Sequence, residues 1–142
     1  MAMTRSRHVA KHMEAKIKHL EFIQSTINRM AGNSFLLKGW AVTLVGALFA
    51  LTFKEVDPMY LLISLIVLVL FWRLDSYYLS RERLFIKLYE CASASTSDTT
   101  DFSMNTKPFE KYVTVGGCAF SETMRLFYGG LAVAHIIIFI LI

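Results

Sequence analysis

Two cysteines and two prolines are all that 142 residues contain, and each shortage excludes something. Cys91 and Cys118 are too few for a disulfide framework and lack the spacing of metal ligands, so both read as free thiols in a reducing cytosol. Between Phe71 and Glu90 there is neither glycine nor proline, so nothing in FWRLDSYYLSRERLFIKLYE stops a helix. No glycine-rich phosphate loop, HExxH, GxSxG or paired carboxylates at a shared helical position in an apolar segment occur. The chain is therefore expected not to be an enzyme, and no cofactor or metal site is expected. An R-x4-H pattern from Arg7 to His12, and His8 with His12 one turn apart, lie on a basic arm and read as solvated polar residues. Met1 to Met13 is basic and polar, with no apolar h-region and no small-residue cleavage site, so the N-terminus is expected to be retained.

The abundant residues are apolar. Hydrophobic residues make up 55% of the chain and mean hydropathy is +0.47, which favours membrane insertion over a soluble fold. FLLKGWAVTLVGALFALTF, Phe35 to Phe53, is just long enough to cross a ~30 Å core, with Lys38 near one end where its amine can snorkel. MYLLISLIVLVLFW, Met59 to Trp72, is short and must borrow length from the residues after Trp72. LFYGGLAVAHIIIFILI comes after a candidate N-cap at Ser121.

These segments predict an all-α membrane protein with three transmembrane helices, cytoplasmic helical extensions of the first two, and assembly as a homo-oligomer. The predicted organisation is a basic amphipathic cytoplasmic helix over 1–33, spans over 34–53, 58–78 and 121–142, and an external turn at 54–57. A cytoplasmic helical stalk occupies 79–91 and a cytoplasmic loop 92–120. Lysine and arginine concentrate before the first span and between the second and third. The positive-inside rule then places the N-terminus and the long loop in the cytoplasm and the C-terminus outside.

Asp57-Pro58 is a helix start, which makes the first two spans a tight antiparallel hairpin. Residues equidistant from a turn near Val56 then share a depth. Trp40 falls level with Trp72, an aromatic belt, and Lys38 falls beside Asp75. A carboxylate at the hydrocarbon edge needs a partner, so Lys38–Asp75 is a candidate pair, with two snorkelling side chains as the alternative. Extended further, the register sets Ile27 against Phe85. An apolar stripe at Met13, Ile17, Leu20, Ile23, Ile27 and Met30 is predicted to pack on the stalk or on other subunits. Gly32-Asn33-Ser34 leaves open whether one helix or two precede the turn. Past the stalk, the Ser/Thr-rich loop leads to FEKYVTV, whose alternation suggests a short strand or extended edge, and Gly116-Gly117 suggests a hinge.

His135 lies about halfway along the third span, where an ionisable group faces a bundle interior, a partner or water. It is a candidate for interhelical hydrogen bonding or for a pore. Gly39, Thr43, Gly46 and Ala50 form a small-residue stripe in the first span, suited to close helix packing or to lining a narrow pore. On the cytoplasmic side, Lys11 and Lys16 of the basic arm and Arg81, Arg83 and Lys87 of the stalk are candidate contacts for anionic lipid, nucleic acid or nucleotide. Arg81 and Arg83 have no acid four residues away on their own helix, so their counter-charges must lie elsewhere.

At KGWAVTLVGALFAL, FWRLDSYYLSRERLFIKLYE and DFSMNTKPF the chain resembles a widespread family of small bacterial membrane proteins, over nearly everything from His19 onward. It also resembles the transmembrane effectors encoded beside nucleotidyltransferases in antiphage defence, including the Hailong type. That resemblance implies an oligomeric channel of the bacterial inner membrane, controlled by an oligonucleotide or cyclic nucleotide product. It implies no catalytic residues.

Overall fold

The computed structural model describes residues 2–55, 57–95 and 102–141, with side chains from Arg7 onward except those of residues 8 and 55. The side chains of Arg5 and His8 and most of the Ser/Thr-rich loop thus lie outside the described residues.

Helix α1, Ala2–Glu55, runs unbroken for 54 residues, about 80 Å at 1.5 Å per residue. Gly32-Asn33-Ser34 is interior to it, so the arm and the first apolar segment are one helix. The turn after α1 is closed at Asp57, whose Oδ1 accepts a hydrogen bond from Met59 N–H at 2.8 Å, while Pro58 C=O accepts from Leu62 N–H at 3.2 Å. Asp57 thereby satisfies one of the free amides at the start of α2, Met59–Ala94. No residue between Phe71 and Glu90 breaks that helix, and its 36 residues extend about 54 Å.

α1 and α2 lie antiparallel along most of the length of α2. Within the apolar stretch, Ala41 and Val45 meet Leu68, and Met124 and Tyr128 of the last helix join them. Farther out, Ile23 and Ile27 pack on Leu88, flanked by Phe85, Ile86 and Tyr89. The apolar stripe of α1 is therefore split. Its later residues pack on α2, whereas Met13 and Ile17 are exposed, close to where α2 runs out.

FEKYVTV is not a strand. Among the described residues there is none, and the segment folds as a 3-10 turn at Lys107–Phe109 followed by α3, Val115–Ala119. Thr114 Oγ1 accepts from Gly117 N–H at 3.1 Å, an N-cap that starts α3 and draws Gly116-Gly117 into a helix rather than a hinge. Local capping won over a seven-residue alternation that had no neighbouring strand to pair with. Helix α4, Glu122–Leu141, begins directly after Ser121.

Stretches of α1, α2 and α4 are each long and apolar enough to cross a membrane. Only 17%, 28% and 17% of their most apolar windows are buried within the chain, so most of this apolar surface faces outward. Water would penalise such a surface and a bilayer would not.

Candidate functional site

Asp75 is fully buried on α2, although a bare carboxylate is expensive in an apolar setting. Three donors compensate it. Ser34 Oγ donates to Oδ1, Lys38 Nζ lies 2.6 Å from Oδ2, and Tyr128 OH donates to Oδ2 at 3.1 Å. Lys38 also donates to Ser34 Oγ at 2.8 Å. Ser34 and Lys38 stand one turn apart on α1 and therefore share a face. The cluster brings together α1, α2 and α4 at one level of the bundle. Two donors from α1 and one from α4 converge on its carboxylate, so it clamps the three helices together.

A second polar contact lies deeper in the apolar zone. His135 is 6% exposed, and its ring meets Phe49 edge-on with centroids 4.6 Å apart. Nδ1 lies 2.8 Å from Leu131 C=O, which can only accept, so the hydrogen is assigned to Nδ1. Nε2 lies 2.9 Å from Ser64 Oγ. Ser64 is itself buried and lies 2.8 Å from Leu61 C=O, so its single proton has two acceptors within reach. His135 thus joins α2 and α4 across their interface, with Phe49 of α1 against its ring.

Where the apolar part of α2 ends, Trp72 Nε1 donates to Ala119 C=O at 3.0 Å and its ring meets Phe120 edge-on. This anchors α3 on α2 beside the Asp75 cluster.

The cationic candidates do not assemble into one pocket. Lys16 Nζ donates to the carbonyls of Ser93 and Ser95, at 3.1 and 2.6 Å, and so caps the end of α2 with a charge matched to its dipole. Arg81 lies twelve residues earlier on α2, about 18 Å away along the axis. Its Nη1 is 3.7 Å from Glu110 Oε1 and its guanidinium lies over the Tyr77 ring. Its counter-charge therefore comes from the segment preceding α3. Lys87 pairs with Glu90 at 2.8 Å, three residues on, while Lys11 and Arg83 are exposed.

Burial pushes the Glu82 carboxyl up from its usual range, opposed by Arg83 and Lys38 and assisted by Asp75. Burial likewise pushes the Cys118 thiol up, against the pull of the nearby Arg83.

The small-residue stripe faces outward. Thr43 and Gly46 are both exposed, Thr43 Oγ1 donates to its own helix at Gly39 C=O, and a Cβ added to Gly46 would touch nothing within 4 Å. Packing within the chain uses Ala41, Val45 and Thr52 instead.

Sequence reasoning missed Ser34, Ser64 and Tyr128. A signal existed for Tyr128, since it stands seven residues before His135 and so occupies the same face of the last helix.

The fold and these clusters describe a membrane-type protein, three apolar helices held by buried polar contacts, with a helical pair extending from one end. No known protein family, curated protein or solved structure matches the chain.

Proposed function

We propose that the protein is a homo-oligomeric effector of the bacterial inner membrane, with its N-terminus in the cytoplasm, that opens to permeabilise the bilayer in antiphage defence. The observation that carries this reading is the Asp75 cluster, which ties all three apolar helices together where the long helical pair leaves the apolar zone. A signal that shifts α1 against α2 in the stalk then acts on every span at once. The gating signal is a nucleotide or oligonucleotide met on the cytoplasmic side, where Arg83 and Lys11 are exposed as separate contacts along the stalk and not as one pocket, and the defence role rests on the resemblance to nucleotidyltransferase-associated effectors. The outward stripe of Gly39, Thr43 and Gly46 supplies a face for close approach of a second subunit.

Induced expression with a potential-sensitive dye tests this. The reading expects membrane potential to collapse once the protein is released from any cognate regulator. Intact potential at full expression contradicts it.

A second reading, a non-conducting scaffold that docks a cytosolic partner, is favoured by the exposed apolar residues Val9, Met13, Ile17 and Phe22 on α1. It expects a stable complex and no currents after reconstitution.

A further inference from the structure

α4 leans on α2 through Met124, Tyr128 and His135 and leaves an open groove beside that contact. A cavity of about 480 Å³ is walled by Leu65, Val69, Gly129 and Ala132, over a floor that includes Met124 and Tyr128. A second, of about 460 Å³, continues from the shared residues Leu65 and Ala132 toward Pro58 and Phe139. The first has a distinct mouth. Trp72, Phe120 and Arg125 line it there, and Trp72 and Phe120 form the aromatic pair that anchors α3.

Arg125 has no acidic partner among the described residues, and even Glu122, one turn earlier on its own helix, does not reach it. From Leu65 to Trp72 the groove measures about 10 Å along α2, most of the ~15 Å depth of one leaflet. An apolar slot with aromatics and an unpaired guanidinium at its mouth matches a molecule with a hydrocarbon tail and an anionic head. A second copy of the chain would have to bring an exposed carboxylate to Arg125. At this level of the bundle Asp75 is buried and already paired with Lys38, which leaves Glu122, exposed one turn from Arg125, as the carboxylate a second copy could bring.

We infer that the α2–α4 groove holds an acyl chain of an anionic phospholipid whose phosphate is bound by Arg125. The inference rests on the reading of α2 and α4 as membrane spans, not on channel activity. Gly129 lies in the wall without filling it, and a Cβ placed there meets nothing within 4 Å. A larger side chain at this position therefore starts from open space in the groove wall.

The test uses the full chain carrying Trp40→Phe, which leaves Trp72 as its one tryptophan. It is reconstituted in vesicles of phosphatidylethanolamine and phosphatidylglycerol, with either lipid brominated on its acyl chain near the headgroup. Brominated phosphatidylglycerol is expected to quench Trp72 with about fivefold preference over brominated phosphatidylethanolamine, the factor that one cation–anion contact near a membrane surface supplies. Arg125→Gln is expected to abolish the preference while keeping the quenching, and Gly129→Leu to reduce quenching by both lipids. Equal quenching in the parent, a preference that survives Arg125→Gln, or quenching untouched by Gly129→Leu overturns the inference. Quenching that falls as protein density rises, at a fixed brominated fraction, marks a second copy in the groove and also overturns it. No quenching by either lipid removes the membrane placement itself.

Discussion

Lys38 and Asp75, thirty-seven positions apart in the chain, meet with Nζ and Oδ2 2.6 Å apart and the carboxylate wholly buried. Removing one partner of such a pair leaves an uncompensated charge, typically a loss of about 3–5 kcal/mol. Lys38→Asp and Asp75→Lys are each expected to cut the yield of folded protein severely. The double exchange is expected to recover part of it, though not all, because Ser34 and Tyr128 also donate to the native carboxylate. Size-exclusion recovery in mild detergent reads the outcome, and a double as poor as the singles contradicts the pairing.

His135→Ala removes the contact with Ser64 and the ring contact with Phe49. Interhelical hydrogen bonds in membrane proteins contribute about 0.6 kcal/mol on average, so a modest fall in thermal stability is expected. Unitary conductance is expected to stay unchanged, because both ring nitrogens are engaged and the ring is buried among helices. Altered conductance at unchanged stability contradicts a packing role.

The thiols should differ sharply. Cys91 is exposed, whereas Cys118 is buried and its thiol is pushed upward by that burial. Since the thiolate is the reactive species, maleimide near neutral pH is expected to label Cys91 first and Cys118 only slowly until the fold is opened. Equal rates in Cys91→Ser and Cys118→Ser variants contradict the placement of α3 against α2.

Glu82 predicts a pH dependence. Its folded carboxyl holds its proton more tightly than the ordinary value of 4.5, so the folded state binds more protons than the unfolded chain between the two values. Its contribution is fully present below the unfolded value and is lost as pH rises through the folded one. Glu82→Gln is thus expected to raise the melting temperature at pH 7 and change it little near pH 4. The opposite pattern contradicts this environment.

Much of the α1–α2 packing was legible because a tight turn forces its two helices to share depth. Counting outward from Val56 puts Lys38 beside Asp75 and Ile27 near Phe85, and those residues lie together in the folded chain. The third helix resisted, because no short turn ties it to a register. Tyr128 shares a helix face with His135, but its meeting with Asp75 across fifty-three positions also needs the register of α4 against α2, which no short turn fixes. Ser64 is one hydroxyl in an apolar run, and only the position of His135 gives it meaning. FEKYVTV misled because alternation signals a strand only when a partner edge exists, and here Thr114 offered its hydroxyl to a helix start instead.

Reconstitution of the purified chain into planar bilayers under voltage clamp tests the proposed conductance most directly. Discrete, stepwise currents are expected, and Asp75→Asn, which weakens the clamp joining the three helices, is expected to change their open probability. A folded, membrane-inserted protein that passes no current under any nucleotide or oligonucleotide supplied would contradict it.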